Sequence, residues 1–287
     1  MAQKAETDLA ESDAGRCLNC GAALHGAFCG ACGQRSVPAN PTVSELAGDA
    51  WQELSGYDGR IAATFRGLLH PGRLTLEYLQ GRRARYLSPM RVYLAVSVVY
   101  FVIAAAAPQV GGGLRIGFTN TADKSSAQVL TESERRELLR DLGDVPWVLR
   151  PMVKSIAEDP DAFRARLFTI MPRVFFGMLP VFAAIVALFY RRRRFPAALV
   201  FAVHVHAFAF LIFSLAEAAK FSGSATVANI VGLMAAIAFS VYAPLAQKHV
   251  FGGSWPAIIA KSTGIGFLYL LISVPAFFII LIWASLV

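Results

Sequence analysis

Hydrophobic and polar positions divide this chain near Arg91. Upstream, apolar residues recur at helical intervals but never in a long run. Downstream, apolar runs approach the length of about 20 residues that a helix needs to cross the hydrocarbon core of a bilayer. They predict spans over residues 91–108, 172–190, 196–216, 227–246 and 263–286. Pro108 stops the first, Pro180 lies within the second and Pro275 within the fifth. The fold class expected is therefore an all-α polytopic membrane protein of about five transmembrane helices, preceded by a small N-terminal knuckle.

Residues 1–16 are polar and predicted to be a disordered tail. Residues 42–90 read as amphipathic juxtamembrane helices. Leu46, Ala50, Trp51 and Leu54 line the first; Ile61, Phe65, Leu68 and Leu69 the second; Leu74, Leu76, Tyr78 and Leu79 the third. His70-Pro71-Gly72 separates the last two as a turn. These helices are too short and too charged to span, so they are expected to lie in the interface plane. Tyr86 and Tyr93 fit interfacial anchors. Residues 109–171 are predicted to be an extracytoplasmic helical region. Thr131-Glu132-Ser133-Glu134 forms a capping box within it, and Asp159 caps a helix with Pro160 in its first turn. No internal repeat is apparent.

Charge supplies a topology. Only 16% of the 287 residues are charged and 56% are hydrophobic, yet the formal net charge is +8. Arg82, Arg83, Arg85 and Arg91 precede the first span. Arg191, Arg192, Arg193 and Arg194 lie between the second and third, and Lys248 and Lys261 between the fourth and fifth. Positive loops stay in the cytosol, which predicts a cytoplasmic N-terminus and an extracytoplasmic C-terminus. The basic residues crowd against span ends, so anionic lipid headgroups are the expected partner and nucleic acid is not.

The cysteines carry the clearest chemistry. All four fall in Cys17-Leu18-Asn19-Cys20-Gly21 and Cys29-Gly30-Ala31-Cys32-Gly33. Each CxxC puts two thiolates on one tight turn, and two such turns close a tetrahedron around Zn²⁺. Cys17, Cys20, Cys29 and Cys32 are thus the predicted metal ligands, and residues 17–35 the zinc ribbon. A site closed by four thiolates is structural, because no position remains for water or substrate. The rival readings are two disulfides or a redox-active CxxC. The absence of a signal peptide points to a reducing compartment, against the first. Two matched pairs in a tail, without a βαβ pattern, speak against the second. His25, between the pairs, reads as a surface histidine.

The chain resembles the bacterial polytopic membrane proteins of unknown function that begin with a short zinc ribbon. The resemblance rests on Cys17-x-x-Cys20-Gly21 with Phe28-Cys29-x-x-Cys32-Gly33-Gln34. It continues in Pro71-Gly72-Arg73, Glu77-Tyr78, Gly81-Arg82-Arg83-x-Arg85-Tyr86 and Pro89, and ends in Phe201-x-x-His204-x-His206-x-Phe208. Family members often carry a Glu-His pair shortly before the His-x-His; Ala197 and Ala198 stand near that place here. The resemblance implies this architecture and a zinc site, in the bacterial inner membrane, and leaves function open.

Two further sets are candidates. Arg73, Arg82, Arg83, Arg85 and Arg91 form a basic cluster suited to lipid headgroups, or to fixing topology alone. His204 and His206 are ionisable groups inside the third span, functional candidates by default. At i and i+2 they point about 200° apart on a helix and do not chelate one metal together. Neutral histidines bonded across helices are the competing account. Glu217 and Lys220, one turn apart, are expected to pair. No phosphate loop, HExxH or nucleophile elbow is present, so no enzyme activity is expected. The leading expectation is a membrane-anchored interaction or regulatory protein with a cytosolic or membrane protein partner. The alternative is a small transporter or channel using His204 and His206; a membrane enzyme acting on lipid comes third.

Overall fold

The computed structural model describes residues 15–36, 60–108, 136, 139–143 and 145–286. The helix predicted from residue 42 and the capping box at Thr131 lie outside the described residues.

The described residues are helical apart from the N-terminal module. Helix α1 (Arg60–Leu69) and α2 (Arg73–Leu79) form a short pair. Helices α3 (Pro89–Ala106), α4 (Arg150–Glu158), α5 (Pro160–Phe189), α6 (Phe195–Ala219), α7 (Ala225–Phe251) and α8 (Trp255–Leu286) follow. Five segments are long and apolar enough to cross a membrane: Pro89–Ala106, Ala165–Phe189, Phe195–Ser222, Ala225–Phe251 and Trp255–Leu286. Their faces carry many exposed large apolar side chains, among them Val102, Leu233, Phe267 and Ile279, as lipid-facing helices require. The Phe195–Ser222 span is the most enclosed, with 61% of its apolar window buried against 11% for Trp255–Leu286.

Helix boundaries follow local chemistry. The helix expected to start at Pro160 runs into the second apolar stretch, and Asp159 caps it: its Oδ1 accepts from the Ala162 amide at 2.9 Å. The chain runs on as one 30-residue helix through Pro172 and Pro180. Ser224 opens α7 through a 3.4 Å bond from the Val227 amide to its Oγ.

The chain falls into two compact units. Among the described residues, one contains 15–36, 60–95, 186–208 and 241–262. Here α1 and α2 pack in part against the protein's own helices. Thr64, Gly67 and Leu68 of α1 and Leu74, Thr75 and Tyr78 of α2 are buried, and Tyr78 packs with Val200 of α6. Tyr86 and Tyr93 are 5% and 2% exposed, so they are core residues and not interfacial anchors. The protein itself buries Leu68, Leu74 and Tyr78 of these stripes, while Ile61 and Leu69 stay exposed. Tyr242 of α7 donates to the Leu68 carbonyl at 2.8 Å and stacks on Phe208 at 3.6 Å. His249 Nδ1 lies 2.7 Å from the Pro71 carbonyl. At Gly72, where φ is 76°, a Cβ would come within 2.8 Å of the Ala246 carbonyl. The His70-Pro71-Gly72 turn is therefore also a close backbone contact with α7.

Among the described residues, the other unit contains 96–108, 136, 139–143, 145–185, 209–240 and 263–286. Phe101, Phe175 and Phe210 cluster with centroids 5.5–5.9 Å apart. Met152 and Ile156 of α4 pack on Phe163, Ile170, Leu281 and Ala284. Lys220 and Glu217 form an ion pair at 2.7 Å.

Candidate metal centre and its docking turn

The N-terminal module is the same knuckle used twice, a structural repeat that the sequence reading missed. In the first copy, the Cys17 amide donates to the Ala22 carbonyl, Gly21 to Cys17, and Leu24 to Gly15, each at 2.8 Å. In the second, Cys29 donates to Gln34, Gly33 to Cys29, and Ser36 to Ala27, again each at 2.8 Å. The bridges Arg16↔Ala23 and Phe28↔Arg35 repeat at the same register. Twelve residues separate Cys17 from Cys29 and Cys20 from Cys32, and only the cysteines and following glycines mark the period.

Two turns of one shape, facing each other, bring the four sulfurs together. All four Sγ atoms lie within 4.8 Å of one another. The closest pairs cross between knuckles: Cys17 to Cys32 at 3.6 Å and Cys20 to Cys29 at 3.5 Å. These separations are far beyond a disulfide bond of about 2.05 Å. They match the ~3.8 Å expected between sulfurs bonded at about 2.3 Å to one tetrahedral metal. The four cysteines are free thiols, and the donor set fits a single metal ion. His25 is exposed and stands outside this group.

The knuckles also tune the thiols. The Ala31 and Cys32 amides hold Cys29 below the ordinary thiol range. Burial pushes Cys32 up, but the Gln34 amide and the Asn19 side chain bring it down to about 6. The Ala22 amide pulls Cys20 down, yet the Cys32 and Cys29 thiols outweigh it and leave Cys20 at about 12. Main-chain amides aimed at sulfur favour the thiolate that a metal needs.

The module docks on the turn after α2. Gln34, only 6% exposed, donates from Nε2 to the Gly81 carbonyl at 2.5 Å. Its Oε1 accepts from the Arg83 and Ala84 amides at 3.0 and 2.9 Å. Gly81 has φ 82°, and a Cβ there would come within 2.5 Å of Leu18 Cδ1. The two stretches that carried the family resemblance, Cys32-Gly33-Gln34 and Gly81-Arg82-Arg83, are thus in direct contact. Periodicity gives no signal for this contact; the only pointer is a glutamine fixed beside a ligand cysteine.

The basic cluster is heterogeneous. Arg82 is held by Glu77 through Nε at 2.6 Å and a second nitrogen at 2.8 Å, and it also contacts Gln80. This fork draws Glu77 below the usual carboxylate range and raises Arg82. Arg83 lies over the Tyr78 ring at 4.7 Å. Arg91 is half-buried, while Arg73 and Arg85 are exposed. Two of the five arginines are thereby committed to folding α2 and its turn.

His204 and His206 have separate partners. His204, 2% exposed, lies 2.9 Å through Nδ1 from Thr75 Oγ1 of α2. Among the described residues, its buried Nε2 has no hydrogen-bond partner. His206 Nδ1 lies 2.8 Å from the Ala202 carbonyl of its own helix. The structure does not bring the two rings together as a chelate. Thr75, which sequence reading passed over, adds a buried side-chain hydrogen bond to the packing of α2 on α6.

A family model described as "Protein of unknown function (DUF3667)" matches residues 58–101. That stretch holds α1, α2, the docking turn and the first part of α3. No curated protein and no solved structure matches the chain.

Proposed function

We propose that this chain is a multi-pass protein of the bacterial inner membrane that carries a structural zinc ribbon on its cytosolic face as an interaction or regulatory module. The observation that carries the reading is the closed set of four sulfurs at metal-bonding separation. Four thiolates in a tetrahedron suit Zn²⁺ and leave no open position for catalysis. A non-enzymatic role accords with that closure. The orientation is supported by charge. The unit that contains the ribbon also contains Lys248, Lys261 and the exposed Arg191, Arg192, Arg193 and Arg194, and basic residues favour the cytosol. Within the juxtamembrane cluster of five, Arg73 and Arg85 are the arginines exposed for anionic headgroups.

Elemental analysis of the purified protein tests the metal. About one zinc per chain is expected, and the Cys17→Ser/Cys32→Ser double variant should lose it. Retention of stoichiometric zinc by that variant would show that the site lies elsewhere. The interaction role is tested by affinity capture with and without residues 1–40. Partners recovered equally by both chains would remove the ribbon from that role.

One observation favours a second reading, a small transporter or channel: the buried, unpartnered Nε2 of His204 inside a span. Proton or ion flux in proteoliposomes that disappears on His204→Ala is its expected sign. Flux absent under every gradient tested would count against transport.

A further inference from the structure

Resting on the reading of a structural metal ribbon, we propose that metal occupancy holds the 81–86 turn closed, so that the ribbon is a metal-dependent latch on the juxtamembrane helices.

Gln34 does two jobs with two parts of itself. Its main chain belongs to the second knuckle: the carbonyl accepts from Cys29 at 2.8 Å, and the amide supports Cys32. Its side chain fills three main-chain hydrogen-bond positions on the turn, at Gly81, Arg83 and Ala84. The turn therefore sees the side chain at the right place only when the knuckle has its shape.

That shape has little else to maintain it. Among the described residues of the module, only Cys17, Cys29 and Gln34 are buried. A segment this small lacks a core of its own, and such modules gain their fold from the metal. Without the ion, four free thiols do not hold two knuckles face to face. The linkage is reciprocal: whatever releases the turn weakens metal binding by the same factor.

The turn in turn leads toward a span. Arg83 Nε reaches the Tyr78 carbonyl at 3.4 Å, and Arg83 covers the Tyr78 ring. Tyr78 packs with Val200 of α6. Three residues earlier, Thr75 meets His204. Opening the latch removes Gln34 from three backbone groups of the turn, leaving the Arg83 amide only its 3.1 Å bond to the Gly81 carbonyl, and loosens the C-terminal end of α2, next to the most enclosed span.

The test is hydrogen exchange by mass spectrometry on the full chain in nanodiscs, in the zinc-loaded state, after chelation, and after zinc is restored. Amides in 81–86 should exchange at least about tenfold faster after chelation and recover with zinc, while α8 stays unchanged. Zinc-loaded Gln34→Ala should show the fast exchange with its metal still bound, and should hold zinc about tenfold more weakly. A turn equally protected with and without zinc overturns the latch, as does zinc-loaded Gln34→Ala indistinguishable from the parent. Loss of protection throughout α8 on chelation overturns it too, since the effect would then be global. A parent protein that binds no metal removes the latch together with the reading it rests on.

Discussion

Gln34 closes its side-chain amide on the main chain at Gly81, donating to that carbonyl at 2.5 Å while accepting from the next two available amides. One side chain thereby joins the cysteine module to the juxtamembrane helices. The fit has a steric half as well, since Leu18 occupies the space a Cβ at position 81 would need.

That fit predicts coupling between Leu18 and Gly81. Gly81→Ala combines a left-handed backbone, at a cost of about 1 kcal/mol or more, with a clash against Leu18. Leu18→Ala relieves the clash but not the backbone strain. In a double-mutant cycle read by thermal unfolding of the docked module, the double variant should be more stable than the sum of the single effects. Strict additivity would mean that the two residues do not meet.

Gly72→Ala should be more damaging than its small size suggests. The new methyl would meet the Ala246 carbonyl at 2.8 Å and His249 Cβ at 3.0 Å. Backbone cannot yield as a flexible side-chain end can, so α1–α2 must move away from α7. A loss of about 2 kcal/mol is expected. A disulfide engineered between the turn and α7 should form less readily in this variant.

Thr75→Val conserves shape and removes the hydroxyl. His204 would then keep neither Thr75 nor any observed partner for Nε2. The expected cost is about 1–3 kcal/mol, the range for a buried polar group left unpaired. Thr75→Ser should retain most of the stability. Equal melting of the valine and serine variants would show that the bond contributes nothing.

Metal binding should weaken as pH falls. Against the Ala22 amide, the neighbouring thiols raise Cys20; against burial, the Gln34 amide and Asn19 lower Cys32. Metal displaces the remaining thiol protons, so acid competes with it and alkali favours it. Zinc released to a colorimetric chelator should rise steadily as pH drops from 8 to about 5. Release independent of pH would contradict thiolate ligation.

Glu77 adds a separate acid sensitivity. Its folded pKa is depressed by the Arg82 fork, so its stabilising effect is present above the ordinary carboxylate range and fades as pH falls through the lowered value. Glu77→Gln should flatten this part of the pH–stability curve. The size is modest, about 1 kcal/mol or less, because the pair is partly solvated.

Much of this architecture is written in local pattern. Long apolar runs specify membrane helices because hydrocarbon admits no unpaired backbone, and the expected number, five, are long and apolar enough to cross. Two CxxC-Gly turns specify a four-sulfur cluster because each fixes its own geometry within five residues. Asp159 announced a helix start for the same reason. What the sequence could not state is which surface covers an amphipathic stripe. Leu68, Leu74 and Tyr78 have the same periodicity whether lipid or α6 and α7 lies opposite, and hydrophobicity alone does not distinguish them. Nor could it say that Arg82 spends its charge on Glu77, or that Thr75 meets His204 across 129 residues. Gln34 is the plainest case. Its role depends on three main-chain groups some fifty residues away, whose directions exist only after α2 has ended and the chain has turned at Gly81. Short-range chemistry determined the helices and the metal cluster; the meeting of distant backbones decided how they are joined.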